Sequence, residues 1–596
     1  MVRTIAFLAC LLAPTLAMAQ RPSASRLLPD SSLFYARVEN VNHFRTLFNE
    51  TSFGRMMQDP EMKPFISGLW RSVTESTENV EQEIGFTWNE LLSIPQGEIA
   101  VAVVPMDTGI PAVVIMLELA EDPATAKKAI EVLEDLARRD EAEIDRTTYG
   151  DVKITTIVGR GGPLSIIMHD DVLVLSNRVE QIEDLIDSWD GNREDPLIRD
   201  NRFTTIVTAC RGTNNEPAQL VWYANPTEII RTATRLSGQG TFITAFFPVL
   251  GLDGIQAAGG SIVLESEDFD TIMHAHLMLK SPRKGVLQLI ALENADSTPE
   301  YWVPGDVTRY STLNWDIAKS YDAFEKLYDD IVGEGKLAED VDRRVNRFIK
   351  VDLKTDILDN LAGRTTWFQW YEPPARLNSE ATFLAVQVKD AVDMRLTLDR
   401  MYEEMPGFSE GFKRSEIAGI EFFERNPPEP REAPEDADEQ QLRRRERRRA
   451  MRPTPCIGMI GDYVFVADRP GIVERVVMTH LHGENPLMDD PTYKATIEKI
   501  QRQSRESKVG MVRFARPDQS FKMLFDLAKA ESTRENLADQ ENNQFFQNLN
   551  RNLQTNPPPD ASVIGKYLAP AGTLLLDDEN GIHLIEFSLK QSDEEK

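Results

Sequence analysis

A stretch that occurs twice constrains this chain more than any other feature. Residues 170–203 read DDVLVLSNRVEQIEDLIDSWDGNREDPLIRDNRF, and residues 461–493 read GDYVFVADRPGIVERVVMTHLHGENPLMDDPTY. Both follow one grammar: an apolar strand, an Asn/Asp-Arg turn, an amphipathic helix, a polar loop, then the start of a second helix. Asp171 corresponds to Asp462, Val174 to Phe465, and Asn177-Arg178 to Asp468-Arg469. After one deletion, Pro196-Leu197 meets Pro486-Leu487 and Phe203 meets Tyr493. A repeat of this kind decides architecture before any single motif does.

The flanking segments repeat as well. Residues 29–39 match 304–314, with Tyr35 at the place of Tyr310; Gly97 matches Gly363; and a helix capped by Asp122 matches one capped by Asp390. Ala224-Asn225-Pro226 recurs as Ala515-Arg516-Pro517, and residues 260–280 are echoed at 572–590. The spacing between copies runs about 275, 266, 268, 291 and 312, so two jumps fall in the second copy. Both coincide with polar, poorly patterned sequence, at 426–453 and 530–560, and surface turns are where a preserved core tolerates insertion. Each half reads β-α-β-β-α-β-β-α-β-α-β-β. Hairpin-length connections cannot join parallel strands. The expected fold is therefore α+β: two homologous halves, each a mainly antiparallel sheet with helices packed on one face. The expected boundaries are a signal peptide at 1–19, a first half at 20–290, a linker at 291–301 and a second half at 302–592.

Within the first copy, Phe34, Ala36 and Val38 alternate with Tyr35, Arg37 and Glu39 as a half-buried strand requires. Residues 41–82 are expected to be helical, with Phe44, Leu47 and Phe48 on one face. Residues 149–175 predict one hairpin turning at Gly159–Gly162.

The N-terminus carries Arg3, an apolar run from Ile5 to Leu16, and Ala17-Met18-Ala19 as an A-x-A site. Cleavage after Ala19 would send the chain to the periplasm or the extracellular space. The apolar run is too short to span a bilayer, and no later segment reaches spanning length; residues 243–252 suit a buried helix. Net charge is −30, from 96 acidic against 66 basic residues, which repels phosphate-rich partners and argues against nucleic acid. Cys210 and Cys456 remain after cleavage; they suit buried free thiols, although an oxidising compartment permits a bridge.

Nucleophile-elbow, phosphate-loop, dinucleotide, C-x-x-C and H-E-x-x-H motifs are absent from the sequence, so no cofactor and no catalytic residue is assigned. The glycines at 159–162 turn a hairpin rather than open a helix. His480, His482 and Glu484, near Asp489 and Asp490, form the densest set of metal-ligand types. Against that, His480 corresponds to Trp189, a packing position. His274 and His276 would project from one face of a strand. Asp187, Asp190, Glu194 and Asp195 crowd a loop without calcium-loop spacing. Trp367, Trp370 and Tyr371, before Pro373-Pro374, could stack on a sugar or peptide ligand, or fill a core as Val101 and Val104 do in the other half. The basic run at 443–449 follows an acidic run that can neutralise it.

The opening PDSSLFYARVEN after a signal peptide, followed by a tandem α+β unit, resembles an uncharacterised family of secreted bacterial proteins defined only by a domain of unknown function. The resemblance covers most of residues 28–592. It implies export and a repeated sheet-and-helix unit, and it brings no catalytic residues. The expected function is a non-enzymatic binding or structural module of the cell envelope, with an unidentified envelope or extracellular ligand held between the halves. The alternative is a secreted hydrolase whose acidic pair meets only in three dimensions, and a carboxyl with a raised pKa would be its signature.

Overall fold

The computed structural model describes residues 22–74, 86–107, 109–120, 123–236, 245–372, 379–427, 452–504, 507–530, 533, 537 and 544–591. The signal segment, Asp122, Pro373-Pro374, the basic run at 443–449 and most of the insertion at 426–453 lie outside these residues. The chain divides into two compact units. The first draws on described residues within 1–43, 80–205 and 220–237; the second draws on those within 44–79, 206–219 and 238–596. The hairpin at 255–279, expected in the first half, thus belongs to the second unit.

The first unit holds β1 (Phe34–Val38), β2 (Ile99–Val104), β3 (Ala112–Glu118), β4 (Glu143–Tyr149), β5 (Val152–Gly159), β6 (Gly162–His169), β7 (Val172–Ser176) and β8 (Leu220–Ala224). Every pairing among them is antiparallel, in the order β8-β1-β2-β3-β7-β6-β5-β4. The second unit holds β9 (Ile255–Ser266), β10 (Phe269–Leu279), β11 (Arg309–Asn314), β12 (Leu361–Tyr371), β13 (Glu380–Val388), β14 (Phe412–Ile417), β15 (Ile420–Arg425), β16 (Cys456–Ile460), β17 (Tyr463–Ala467), β18 (Lys508–Ala515), β19 (Ala571–Asp578) and β20 (Gly581–Leu589). Their order is β9-β10-β20-β19-β18-β11-β12-β13-β17-β16-β15-β14, again antiparallel throughout. The α+β layout with antiparallel pairing, read from the hairpin connections, is the observed one.

Two expectations about faces are corrected. Tyr35, placed outward by the alternation, is fully buried, while Phe34, Ala36 and Val38 are only half-buried. The tyrosine ring packs edge-on to Phe203, and Arg37 can turn inward because it meets Glu98 at 2.7 Å. Helices also cover both faces of each sheet rather than one. In the first unit, Leu119, Ile166 and Leu173 cluster with Ala126 of α1 (Ala124–Arg139), while α2 (Val179–Asp187) packs on β6 and β7 through other residues. In the second unit, Phe383 and Phe465 meet α5 (Pro470–His482) and α6 (Pro491–Gln501). Their strand neighbours, Val388 and Val464, face α4 (Ala391–Glu404) on the other side. Continuous apolar runs such as Val172-Leu173-Val174-Leu175 fit strands covered on both faces.

The single hairpin expected at 149–175 is also corrected: the region forms three strands, β5 to β7, and is preceded by β4, which ends at Tyr149. Gly159 does pair with Gly162 across the expected turn. The second leg breaks at Asp170-Asp171, both at positive φ, and the polar segment 143–149 adds an edge strand. Short acidic side chains tolerate that left-handed turn. Residues 41–74 form three helices, Val41–Glu50, Ser52–Gln58 and Lys63–Thr74. The buried helix expected at 243–252 is one short turn, Phe247–Leu250, with Phe247 buried and Val249 exposed. Cys210 and Cys456 are buried free thiols, each pushed up to about 12 by burial.

Candidate functional site

The site grows from the pleat of the second unit's sheet. Side chains two apart on a strand share a face, so His274 and His276 of β10 project together. β20 pairs with β10 so that His583 stands directly opposite His276, with His274 one step further along. The three imidazoles form a chain: His274 Nδ1 lies 2.9 Å from His583 Nε2, and His276 Nδ1 lies 3.2 Å from His583 Nδ1. All three are buried, at 8, 3 and 5% exposure. The outward nitrogen of His276, Nε2, has no hydrogen-bond partner among the described residues. Burial pulls the His276 pKa below that of a free imidazole, against the opposing pull of the Asp578 carboxylate.

His274 and His583 form one wall of a cavity of about 120 Å³. Its floor is apolar: Ile272, Leu576, Ile585 and Phe587 from strands β10, β19 and β20. Its rim is polar, with Arg211 and Thr213 from the loop after α3 (Asn201–Ala209) and Gln503, Ser504 and Ser507 from the segment after α6. Asp578 completes it, its carboxylate accepting from the Asn580 and Gly581 amides at the β19–β20 turn. Arg211 reaches the Asn215 carboxamide at 3.3 Å and makes no ion pair among the described residues. Polar groups converging over an apolar floor are the usual form of a small-ligand pocket.

The residues singled out from sequence fall elsewhere. His480 lies in α5 with its ring 5.1 Å from that of Tyr301, and burial lowers its pKa. His482 ends the same helix, before the left-handed Gly483. Among the described residues no group of three or more His, Cys, Asp or Glu side chains is arranged to hold a metal ion, and His480, His482 and Glu484 form no such group. Trp367 and Tyr371 share one face of β12 and Trp370 takes the other, so the three do not form one platform. Trp370 donates to Asp306 at 3.2 Å and packs against the main core; Trp367 lies under the Arg513 guanidinium at 5.9 Å. Burial, helped by Asp526, raises the Tyr371 pKa. The acidic loop after α2 is organised by Arg193, which bonds Asp184 at 2.7 Å and Asp195 at 3.0 Å.

The sequence puts His274 and His276 on one face of a strand and gives no sign of His583. The missing signal is register: the chain separates the partners by 307 and 309 positions, and only the β10–β20 pairing unites them. No protein family, curated protein or solved structure matches the chain. Among the described residues no helix is long and apolar enough to cross a membrane.

Proposed function

We propose that this chain is an exported, non-enzymatic binding protein of the cell envelope, built from a duplicated α+β unit, and that the histidine-walled cavity of the second unit holds its ligand. The observation that carries the binding reading is the cavity itself, with two imidazoles and a guanidinium over a hydrocarbon floor. Its volume suits a ligand of a few non-hydrogen atoms. The hydrolase alternative is less well supported. Among the described residues the carboxyls with a resolved shift, Asp59, Glu90, Asp190, Asp200, Asp296 and Asp340, are all lowered, whereas a stored general acid needs the reverse.

Duplication is supported by strand order and register. β8-β1-β2-β3-β7-β6-β5-β4 and β18-β11-β12-β13-β17-β16-β15-β14 place successive strands alike. Phe34 pairs with Val103 and Ala224, and Arg309, 275 positions later, pairs with Gln369 and Ala515. The bridge Pro29–Pro196 recurs as Pro304–Pro486. Export is supported by the N-terminal sequence, and the resemblance to a secreted bacterial family by the PDSSLFYARVEN opening with the tandem unit that follows it.

Ligand-observed NMR with a panel of small carboxylates, sulfate, phosphate and amines tests the binding reading, using Ser504→Trp to plug the cavity mouth. Saturable binding that the plug abolishes is the expected result. Binding that survives the plug, or no binding by the intact protein, removes the cavity from consideration.

A further inference from the structure

The arrangement of the three imidazoles goes beyond lining a pocket. In the neutral state one imidazole carries one N–H and one lone pair. A neutral chain of three can therefore satisfy both of its internal contacts, but only with both hydrogen bonds running in the same direction. A proton added at the centre changes this. His583 would then donate from both nitrogens, through Nε2 to His274 Nδ1 and through Nδ1 to His276 Nδ1, and each neighbour would keep its own hydrogen on Nε2. Two acceptors aimed at the two ends of one ring favour its cationic form, because charge-assisted hydrogen bonds are the stronger kind. What opposes the cation is burial.

The surroundings give that charge a counter-ion position. Among the described residues that line the cavity, the charged ones are Asp578 at the end of β19 and Arg211 at the rim. Asp577, the neighbour of Asp578, is held by Arg283. β9 presents uncharged Ser261 and Gly259 opposite His274 and His276, and the segment after α6 presents Gln503, Ser504 and Ser507. Nearby Cys210, whose carbonyl accepts from Ser261, stays a thiol through neutral pH. A cationic His583 and Arg211 would both border one small cavity, with one carboxylate already committed to a turn.

We propose that the cavity binds a small anion of the carboxylate class and takes up a proton with it, the proton residing on the His274–His583–His276 chain. This rests on the cavity being the binding site and adds the ligand's charge and its linkage to pH. Burial opposes a charge on the chain, and an anion beside His583 offsets that cost, so occupancy and protonation rise together. Linkage then requires that affinity fall as pH rises, approaching tenfold per unit where uptake reaches one proton.

The test is calorimetric titration of acetate into the full chain at pH 5.5, 6.5 and 7.5, in two buffers of different ionisation heat, with His583→Gln as the conservative variant. The expected result is uptake of close to one proton at pH 7.5, affinity falling by up to about tenfold between pH 6.5 and 7.5, and loss of the uptake in His583→Gln. Acetate binding that Ser504→Trp abolishes, but that is pH-independent and releases or takes up no proton, overturns the linkage and leaves the cavity as a site. No acetate binding at any pH overturns the anion assignment. Binding of an amine from the panel would then keep the site, and no binding of any panel member would remove both. Proton uptake that persists in His583→Gln assigns the proton elsewhere and refutes the array.

Discussion

Two buried tyrosine corners, one in each unit, solve the same problem with the charges exchanged. In the first unit Tyr35 of β1 lies beside Glu98, which precedes β2 and meets Arg37 at 2.7 Å. In the second unit Tyr310 of β11 donates to Glu300 at 3.2 Å. There the place of Glu98, just ahead of the residue paired with the fifth position of the strand, is taken by Arg364. The acid of this corner lies in the segment before β11, where Glu300 also accepts from Arg364 Nε at 2.7 Å and Thr366 Oγ1 at 2.6 Å. What the two corners share is an ion pair at the edge of a buried phenol, rather than the residue at any one position. A buried charge must be matched, so a change of sign at one position requires a partner at another. The corners differ in depth: Arg37 keeps 23% of its side chain exposed and Arg364 keeps 15%.

That comparison can be broken by alkali first. Burial, then Glu98, raises the Tyr35 pKa, and burial pushes Tyr223 up to about 12. In the second unit burial, then Glu300, raises Tyr310, Tyr463 and Tyr493. A raised folded pKa leaves stability intact below the unfolded value near 10 and removes it as pH climbs toward the folded value. The loss is at most about 1.4 kcal/mol per pH unit for each group. Hydrogen exchange between pH 9 and 11.5 should show the second unit losing protection more steeply. Equal slopes would put the corners on a par.

Glu300→Gln should be the most damaging single substitution, costing about 3–5 kcal/mol in chemical denaturation, because it strands Arg364. Among the described residues only exposed Asp296, 3.3 Å away, would remain to Arg364 as an ionic partner. Glu98→Gln should cost less, about 1–3 kcal/mol, since Arg37 keeps Glu39 at 3.4 Å and access to water. If the order is reversed, depth is not what separates the corners. The smallest effect belongs to a local cap. Asp390 accepts from the Val392 and Asp393 amides at the start of α4, and Asp390→Ala should cost about 1 kcal/mol by thermal unfolding.

The fold was legible where physics is local. Turn residues located Gly159–Gly162, the cap at Asp390 was visible as a polar residue before an apolar-periodic run, and hairpin lengths gave antiparallel pairing. What was not legible depended on distant partners. Tyr35 reads as an outward residue until Phe203 and the Arg37–Glu98 pair are seen around it. His583 reads as an isolated histidine until strand register sets it against His276. Helices on both sheet faces were implicit in runs such as Val172–Leu175, where alternation fails, but a one-face template hid them.

The pairing of β10 with β20 also governs how the molecule can be made. Residues 269–279 must wait for 581–589, about 300 positions further along the chain, before their ladder is complete. Throughout that interval β10 offers an unprotected edge, including Met273, to any neighbouring nascent chain, which is the condition under which strands associate wrongly. Deleting β20 would therefore harm yield far more than trimming the residues that follow it, because it would leave that edge open in the finished chain.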